Sequence, residues 1–171
     1  MKMPGNIIIF LVGMPGVGKT YWGNKIYEGY DLEFKDLDVY VARKESASIA
    51  ALFATYGESG FRERERRCLE QIIKETTEPT VIACGGGTPA YSDNMKIMKD
   101  AGTVVYLRAD IGTLVQQLSE STEVRPLLRG RGDMATYLEG LLSKRKINYE
   151  QAHHILDTKF ISLATFGEII L

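Results

Sequence analysis

The sequence predicts an α/β fold of three layers, in which a mainly parallel sheet lies between layers of helices. Two observations support this fold class. Short apolar runs recur along the chain, and the stretches between them are long enough for crossover helices. The strongest runs are apolar throughout, which indicates strands buried on both faces of the sheet, as parallel strands usually are.

The strand signals can be placed in order along the chain. The first is a continuous apolar run, the second is short, the third and fourth follow Pro79 and Gly102, and the fifth is weaker. A helix is predicted over residues 21–28, after a glycine-rich turn, and another starts near Val39. The predicted strands span residues 7–12, 33–36, 80–84, 103–107 and 154–157. Because ligands bind outside the carboxyl ends of such strands, the residues just after each strand are candidates for function.

Length and composition indicate one compact domain over residues 1–171. Hydrophobic residues make up 44% and charged residues 25%, as in ordinary globular proteins, and no apolar run is long enough to cross a bilayer. The N-terminus lacks the apolar region of a signal peptide. A net charge of −1 argues against a broad nucleic-acid-binding surface. Cys68 and Cys84 form neither a disulfide framework nor a zinc set, so we expect them to be buried and reduced in a cytoplasmic protein.

A glycine-rich loop follows the first strand and fits the pattern G-x-x-x-x-G-K-[ST] of a phosphate-binding P-loop. In such a loop the backbone N–H groups point at phosphate oxygens, and the following helix directs its positive end at the same anion. Lys19 adds a positive charge near the β- and γ-phosphates, and Thr20 offers its hydroxyl to Mg²⁺. The expected ATP site comprises Gly13, Met14, Pro15, Gly16, Val17, Gly18, Lys19 and Thr20. The alternative is a strand–helix turn that binds nothing.

Two carboxylates, Asp36 and Asp38, follow the second strand. Beside a nucleotide, one can hold Mg²⁺ or its water, while the other accepts a hydrogen bond from a substrate hydroxyl and orients it. If the segment is still extended, the two side chains point to opposite sides, which suits separate roles. The alternative is the start of a helix, where Asp is favoured as a cap in any case.

The stretch from Phe61 to Arg67 is dense in charge, and most such runs are solvated helix faces. Here Glu65 lies on the apolar face, four residues after Phe61, so it needs a cationic partner. Arg62 is three residues away and within reach. An Arg held by a Glu is oriented to bind a substrate carboxylate through two hydrogen bonds. We therefore select Arg62 and Glu65, and assign to the surface Glu63, Arg64, Arg66 and Arg67.

Three consecutive glycines, Gly85, Gly86 and Gly87, follow the third strand. A run without side chains lets a ligand approach the backbone closely, which indicates a substrate-binding turn. The alternative is a tight turn without a ligand, which needs fewer glycines.

Two basic segments lie later in the chain. Residues 123–133 contain Arg125, Arg129 and Arg131 among glycines, as in a lid that closes on phosphates and stabilises the transferring phosphoryl group. The alternative is a basic surface loop. Residues 144–146 lie on a later helix and by charge alone indicate only a basic helix face.

In this order the motifs resemble those of the shikimate kinase family. They are the P-loop, D-x-D, G-E-x-x-F-R-x-x-E from Gly57, G-G-G, R-P-L-L from Arg125, and Arg145 followed four residues later by Tyr149. The similarity covers roughly residues 6–158. It implies the fold of the nucleoside monophosphate kinases, with a five-stranded parallel sheet and a mobile lid over approximately residues 122–134. It also implies transfer of the γ-phosphoryl group of MgATP to the 3-hydroxyl of shikimate, in aromatic amino-acid biosynthesis.

The resemblance further implies a role for each matched residue. Asp36 would act on Mg²⁺ through a water, and Asp38 would hold and deprotonate the substrate hydroxyl. Arg62, supported by Glu65, and Arg145 would bind the shikimate carboxylate. The remaining implied site residues are Lys19 and Thr20 for the ATP phosphates and Mg²⁺, Gly85, Gly86 and Gly87 for the substrate, and Arg125 as the lid arginine that contacts ATP. The expected partners are therefore ATP and shikimate, with neither nucleic acid nor membrane, and the expected state is a monomer.

The chain departs from the family pattern at a few positions. Leu37 stands where a small hydroxyl residue is common, and we expect it to point into the core. Leu118 stands where an Arg often lies against the adenine, and Lys159 replaces an Arg after the last strand, so nucleotide preference is less determined than substrate preference. His153 and His154 have no other ligand types at metal-binding spacing, so we interpret them as structural.

Two alternative functions stay open at this point. One is another small-molecule kinase of the same fold, such as a gluconate-type kinase, because two arginines fit other acids as well. The second is a nucleotide-dependent switch or an inactive binding homologue, which tight ATP binding without turnover would indicate.

Overall fold

The computed structural model describes residues 7–121 and 133–171. Within these residues five strands form one sheet: β1 (Ile8–Val12), β2 (Glu33–Asp36), β3 (Thr80–Ala83), β4 (Thr103–Arg108) and β5 (His154–Asp157). All neighbouring strands run parallel, in the order β2-β3-β1-β4-β5. The predicted fold class and the five-stranded parallel sheet are confirmed.

Seven α-helices connect and flank the strands in the described part of the chain. They are α1 (Lys19–Tyr30), α2 (Leu37–Glu45), α3 (Ile49–Glu75), α4 (Asn94–Ala101), α5 (Ile111–Glu120), α6 (Met134–Tyr149) and α7 (Leu163–Ile170). A short 3₁₀ turn spans Thr88–Ala90. Every residue of β1 and β3 is buried, so helices cover both faces of the central strands, as the apolar runs predict.

The register of the sheet aligns the carboxyl ends of the strands. Leu11 of β1 lies beside Ala83 of β3 on one side and Val105 of β4 on the other, and Asp36 ends β2 beside Ala83. The segments after β1, β2 and β3 therefore leave the sheet at one edge. These segments contain the glycine-rich loop, the paired carboxylates and the three glycines, so the candidates that follow the first three strands lie at one edge of the sheet.

The element boundaries agree with the predictions except near the paired carboxylates. β2 and β5 span the predicted residues, and the other three strands differ by one residue at an end. Helix α2 begins at Leu37 rather than near Val39, because the side chain of Asp36 accepts hydrogen bonds from the first turn. The extended geometry that would separate Asp36 and Asp38 onto opposite sides is therefore wrong. Leu37 is fully buried, as predicted.

Helix α3 is interrupted at Gly57, whose φ of 67° and ψ of −177° are not helical. Its second part carries Phe61, Arg62 and Glu65 on the buried face. The surface assignment of the other charged residues of this stretch is partly wrong. Glu63 and Arg67 are exposed, whereas Arg64 and Arg66 are half-buried because they pair with carboxylates of other segments.

The predicted lid lies almost wholly outside the described residues, and so does Arg125. Of its predicted range only residues 133 and 134 are described, and there the side chain of Asp133 caps the start of α6. In the described ranges no helix combines the length and the apolar character needed to cross a membrane.

Candidate active site

The glycine-rich loop between β1 and α1 uses backbone conformations that glycine adopts readily. Gly16 and Gly18 have φ values of 84° and 100°, which residues with a side chain rarely adopt. The ammonium group of Lys19 folds back over the loop and donates hydrogen bonds to the carbonyl oxygens of Gly13 (2.8 Å) and Met14 (3.0 Å). The side chain of Met14 is buried in the core and anchors the loop there.

Asp36 joins the end of β2 to the P-loop. Its Oδ2 accepts a hydrogen bond from the Thr20 hydroxyl at 3.2 Å, and its Oδ1 accepts from the backbone N–H groups of Asp38 (2.9 Å) and Val39 (3.3 Å). Asp36 is therefore both a helix cap and a neighbour of the P-loop hydroxyl. The interpretation of Asp36 as a helix cap is confirmed, and its role toward Mg²⁺ stays a prediction.

Asp38 lies in the first turn of α2 and lines the same cavity as Lys19 and Gly85, which has a volume of about 460 Å³. The pKa of this carboxyl is raised from 3.8 to about 6, and the largest cause is its removal from water. The neighbouring charges of Glu65 and Asp36 raise the pKa further, and those of Lys19 and Arg62 oppose them. A carboxyl with this pKa exchanges a proton near neutral pH, as a general base must.

We call this cavity the phosphate pocket, because the P-loop forms one of its walls. Gln117 and Ser121 also line it, although the sequence motifs do not point to them. The residues of the predicted site that line the phosphate pocket are Gly16, Gly18, Lys19, Thr20, Asp36, Asp38, Gly85 and Gly86.

A second cavity, of about 370 Å³, contains the two selected arginines. We call it the acid pocket; it is lined by Glu58, Ser59, Arg62, Gly87, Ala90, Tyr91 and Arg145. Arg62 and Arg145 are only 7% and 6% exposed, so a carboxylate bound there would meet two positive charges with little competing water. One edge of the Arg62 guanidinium is fixed by Glu65, whose Oε2 lies 2.6 Å from Nη1, as the three-residue spacing predicts. The exposed carboxylate of Glu58 lies 3.7 Å from Nη2.

The three glycines form the wall between the two pockets. A Cβ atom built on Gly86 would lie 3.0 Å from Cδ of Pro15 and 3.1 Å from Nη1 of Arg145, and one on Gly87 would overlap the Arg62 guanidinium. The absence of side chains at these positions thus lets the P-loop and both arginines pack directly on the turn. This explains why three glycines stand where a plain turn needs fewer.

Tyr149 at the end of α6 holds this wall in place. It is fully buried, its hydroxyl donates a hydrogen bond to the carbonyl oxygen of Gly86 at 2.5 Å, and its ring stacks on Tyr106 with centroids 4.9 Å apart. Burial raises the pKa of Tyr149 to about 12, so the hydroxyl keeps the proton that it donates. Charge alone indicates only a basic helix face here, but both residues are buried: Arg145 lines the acid pocket and Tyr149 bonds to the glycine turn.

His153 and the two cysteines match their predictions of a structural role and of burial. The Nδ1 atom of His153 accepts a hydrogen bond from the backbone N–H of Val104 at 3.0 Å, which is a structural role. Cys68 and Cys84 are buried and unpaired with each other. Over residues 7–121 and 133–171, no cluster of three or more His, Cys, Asp or Glu side chains could hold a metal ion.

The positions that depart from the family pattern pack against local partners. Leu118 is 9% exposed and lies against Gly16, where a Cβ atom would be 2.7 Å from its Cγ. Lys159 forms an ion pair with Asp110 at 2.5 Å, near the start of α5.

Comparisons with known proteins agree on one family. Residues 15–170 match the family described as “Shikimate kinase”. The shikimate kinase of Azobacteroides pseudotrichonymphae genomovar. CFP2 is 36% identical over 164 residues, which is 95% of this chain and 94% of that protein. A shikimate kinase structure from Bacteroides thetaiotaomicron superimposes with a TM-score of 0.89 and 31% identity, over 95% of this chain and 97% of the other. A shikimate kinase from Acinetobacter baumannii in complex with shikimate has a TM-score of 0.85 and 32% identity, over 96% and 90% of the two chains.

Proposed function

We propose that the two pockets of this chain bind ATP and shikimate on either side of the glycine turn. The basis is that the chain belongs to the shikimate kinase family. As a member of this family, the chain is an ATP-dependent kinase that transfers the γ-phosphoryl group of ATP to the 3-hydroxyl of shikimate. The observation that carries the assignment of the pockets is their shared wall. Gly85 and Gly86 line the pocket that contains Asp38 and the P-loop, whereas Gly87 lines the pocket that contains Arg62 and Arg145.

The phosphate pocket suits the triphosphate of ATP. Backbone N–H groups of the loop, among them those of Gly16 and Gly18, and the N-terminus of α1 offer donors to the β- and γ-phosphates, and Lys19 supplies a charge that follows the transferring group. A ligand phosphate in this loop would compete for the Lys19 ammonium with the carbonyl oxygens of Gly13 and Met14, which now hold it nearby.

The residues present also fit Mg²⁺. The Thr20 hydroxyl and the Asp36 carboxylate are oxygen donors within 3.2 Å of each other at the edge of the phosphate pocket. Mg²⁺ bound with a nucleotide usually takes one or two protein oxygens and completes its shell with phosphate oxygens and waters. We assign Thr20 as a direct ligand and Asp36 as a ligand through water. When bound, the ion neutralises charge on the β- and γ-phosphates.

Shikimate would span the glycine turn. Its carboxylate would pair with Arg62 and Arg145, and its 3-hydroxyl would donate a hydrogen bond to Asp38. With a pKa of about 6, Asp38 is about nine-tenths ionised at pH 7 and can accept this hydrogen bond.

The transfer follows from this placement. The 3-hydroxyl oxygen attacks the γ-phosphorus, the bond from phosphorus to the β,γ-bridging oxygen breaks, and ADP leaves with that electron pair. The hydroxyl proton passes to Asp38, and Lys19 stabilises the charge on the transferring group. Catalysis is thus mainly positioning and electrostatics.

Three further assignments rest on the sequence. Arg125, outside the described residues, keeps its predicted role as the lid arginine that contacts ATP. We also propose that the enzyme works as a monomer in the cytoplasm, without nucleic acid or membrane. Light scattering coupled to size-exclusion chromatography tests the monomer, and a mass near twice 19.1 kDa would contradict it.

The test of the function is ADP release by the purified protein with MgATP and shikimate, with gluconate and no acceptor as controls. We expect turnover that depends on shikimate, in the range of about 1–100 per second that is typical of kinases. Release with gluconate alone would keep the phosphate pocket and overturn the assignment of shikimate to the acid pocket. Nucleotide binding without release on either acid would indicate a binding protein.

A further inference from the structure

Thr88, the residue directly after the three glycines, is fully buried and carries a hydroxyl that faces a charged group. That hydroxyl donates a hydrogen bond to Oε1 of Glu65. Glu65 is itself 1% exposed, and its other carboxylate oxygen accepts from Arg62 at 2.6 Å. The buried carboxylate is therefore held at both oxygens, by Thr88 on one side and by Arg62 on the other.

The hydroxyl of Thr88 is itself held in a fixed place. Its backbone N–H donates to the carbonyl oxygen of Gly85 at 3.1 Å, and its own carbonyl oxygen accepts from Nδ2 of Asn94 at 2.9 Å. Asn94 is fully buried at the start of α4. These contacts fix the backbone of Thr88 relative to both the glycine turn and α4. The Thr88 side chain can therefore constrain the position of the Glu65 carboxylate.

A buried carboxylate that loses one of two hydrogen-bond donors is both destabilised and freer to rotate. If the Thr88 hydroxyl were removed, Glu65 would keep Arg62 at Oε2, but Oε1 would lose the contact that defines the plane of the carboxylate. Arg62 would then pair with a Glu65 carboxylate whose orientation is less fixed. The Arg62 guanidinium would in turn be less well oriented toward the acid pocket.

We propose that Thr88 is a positioning residue for recognition of the substrate carboxylate. Acting through Glu65, its hydroxyl holds the Arg62 guanidinium in the orientation that binds the acid, and this role rests on the proposed function of the acid pocket. The same hydroxyl lies close to Gly85, where a built Cβ atom would be 3.2 Å from Oγ1 of Thr88 and 3.3 Å from Oδ1 of Asp38. Thr88 thus stands between the part of the site that binds the acid and the part that binds the hydroxyl.

The test compares Thr88→Val, which replaces the hydroxyl by a methyl group of similar size, with Thr88→Ser, which keeps the hydroxyl. Turnover of shikimate by the unchanged protein is measured first, so that a failure of the proposed function is seen before any variant is judged. We expect Thr88→Val to raise the KM for shikimate about tenfold, since the lost bond is to a charged group. The kcat and the KM for ATP should stay within about threefold, and Thr88→Ser should keep the KM for shikimate within about twofold.

A double-mutant cycle with Arg62→Ala tests the route of the effect. If Thr88 acts through Arg62, Thr88→Val should lower kcat/KM for shikimate in the unchanged protein and have no further effect in Arg62→Ala. Losses that multiply independently would overturn the route through Arg62. A folded Thr88→Val protein with an unchanged KM for shikimate, or a Thr88→Ser protein as impaired as Thr88→Val, would overturn the proposal. If Thr88→Val does not fold, Thr88→Ala removes the same hydroxyl without added bulk and is judged by the same criteria.

Discussion

Replacement of Asp38 by Asn should make the protein more stable and inactive at the same time. The carboxyl of Asp38 has a pKa of about 6 in the folded protein, against 3.8 as its ordinary value. The folded state therefore binds this proton more tightly than the unfolded state does. Above pH 6 the folded protein must hold an ionised carboxylate that its surroundings disfavour, and an amide at this position removes that cost.

The size of the effect follows from the shift. The difference between 6 and 3.8 is 2.2 pKa units, and at 1.36 kcal/mol per unit it corresponds to a stability cost of about 3 kcal/mol at pH 8. The cost is fully present above pH 6, falls as the pH drops toward 3.8, and vanishes below 3.8, where both states are protonated. At pH 5 the same relation leaves about 1.6 kcal/mol. For a domain of this size, about 3 kcal/mol corresponds to an increase of about 6–12 °C in Tm.

The assay is urea unfolding of both proteins at pH 5 and pH 8. The unfolding free energy of Asp38→Asn should exceed that of the unchanged protein by up to about 3 kcal/mol at pH 8, with the gain roughly halved at pH 5. Glu63→Gln is the matched control, because it makes the same chemical change at an exposed carboxylate whose one described ion pair is on the surface, with Arg67. Its effect should be about 0.5 kcal/mol or less at either pH.

Two outcomes would refute this reasoning. A gain in stability that is equal at pH 5 and pH 8 would show that the amide packs better for reasons unrelated to charge. A loss of stability at pH 8 would contradict the expectation that the folded protein disfavours the ionised carboxylate. In either case the turnover of shikimate by Asp38→Asn should still be lower by at least about a hundredfold, because a general base contributes about 10²–10⁴.

The remaining predictions concern the two pockets. Arg62→Ala should raise the KM for shikimate about ten- to hundredfold and leave the KM for ATP unchanged. Arg67→Ala, at an exposed position of the same helix, is the control and should change neither constant. Equal effects of the two substitutions would remove Arg62 from the site. The kcat/KM for shikimate should fall tenfold per pH unit below about pH 6, because only ionised Asp38 accepts the hydroxyl proton and about one-eleventh of it is ionised at pH 5. A profile that is flat from pH 7 to pH 5 would contradict this. Gly87→Ala should lower the affinity for shikimate measured by calorimetry, because the added Cβ would overlap the Arg62 guanidinium. Gly140→Ala, at a position with open space around it, should bind shikimate normally. Normal binding by both variants would exclude the steric argument.

The sequence predicts those parts of the structure that depend on neighbours along the chain. The parallel sheet follows from apolar runs, and the phosphate-binding loop follows from its glycines and Lys19. The contact between Arg62 and Glu65 is also local, since residues three apart on a helix lie on the same face. The predicted start of α2, near Val39, is two residues too late. Asp36 suits both a helix cap and a ligand, so the sequence pattern alone cannot decide between these roles.

Other contacts depend on the fold and leave no pattern in the sequence. The hydroxyl of Tyr149 reaches the carbonyl oxygen of Gly86 across 63 residues, and the hydroxyl of Thr88 reaches Glu65 across 23. Neither contact can be predicted from its spacing along the chain, because each depends on how the fold places the sheet and α3. The resemblance to a family identified Arg145 and Tyr149 as a pair, but only the folded chain shows that both are buried against the glycine turn.

Glu65 connects the two halves of the proposed reaction. Its carboxylate orients Arg62, which is expected to bind the acid of the substrate, and its charge is one of the causes that raise the pKa of Asp38. Removal of the charge with the shape retained, as in Glu65→Gln, should therefore act on both ends of the substrate. The KM for shikimate should rise because Arg62 loses a charged partner, and the acid limb of the kcat/KM profile should move to lower pH because Asp38 loses a negative neighbour. If only the KM changed, the electrostatic link between acid recognition and hydroxyl activation would be refuted, and the hydrogen bond to Arg62 would be the whole contribution of Glu65.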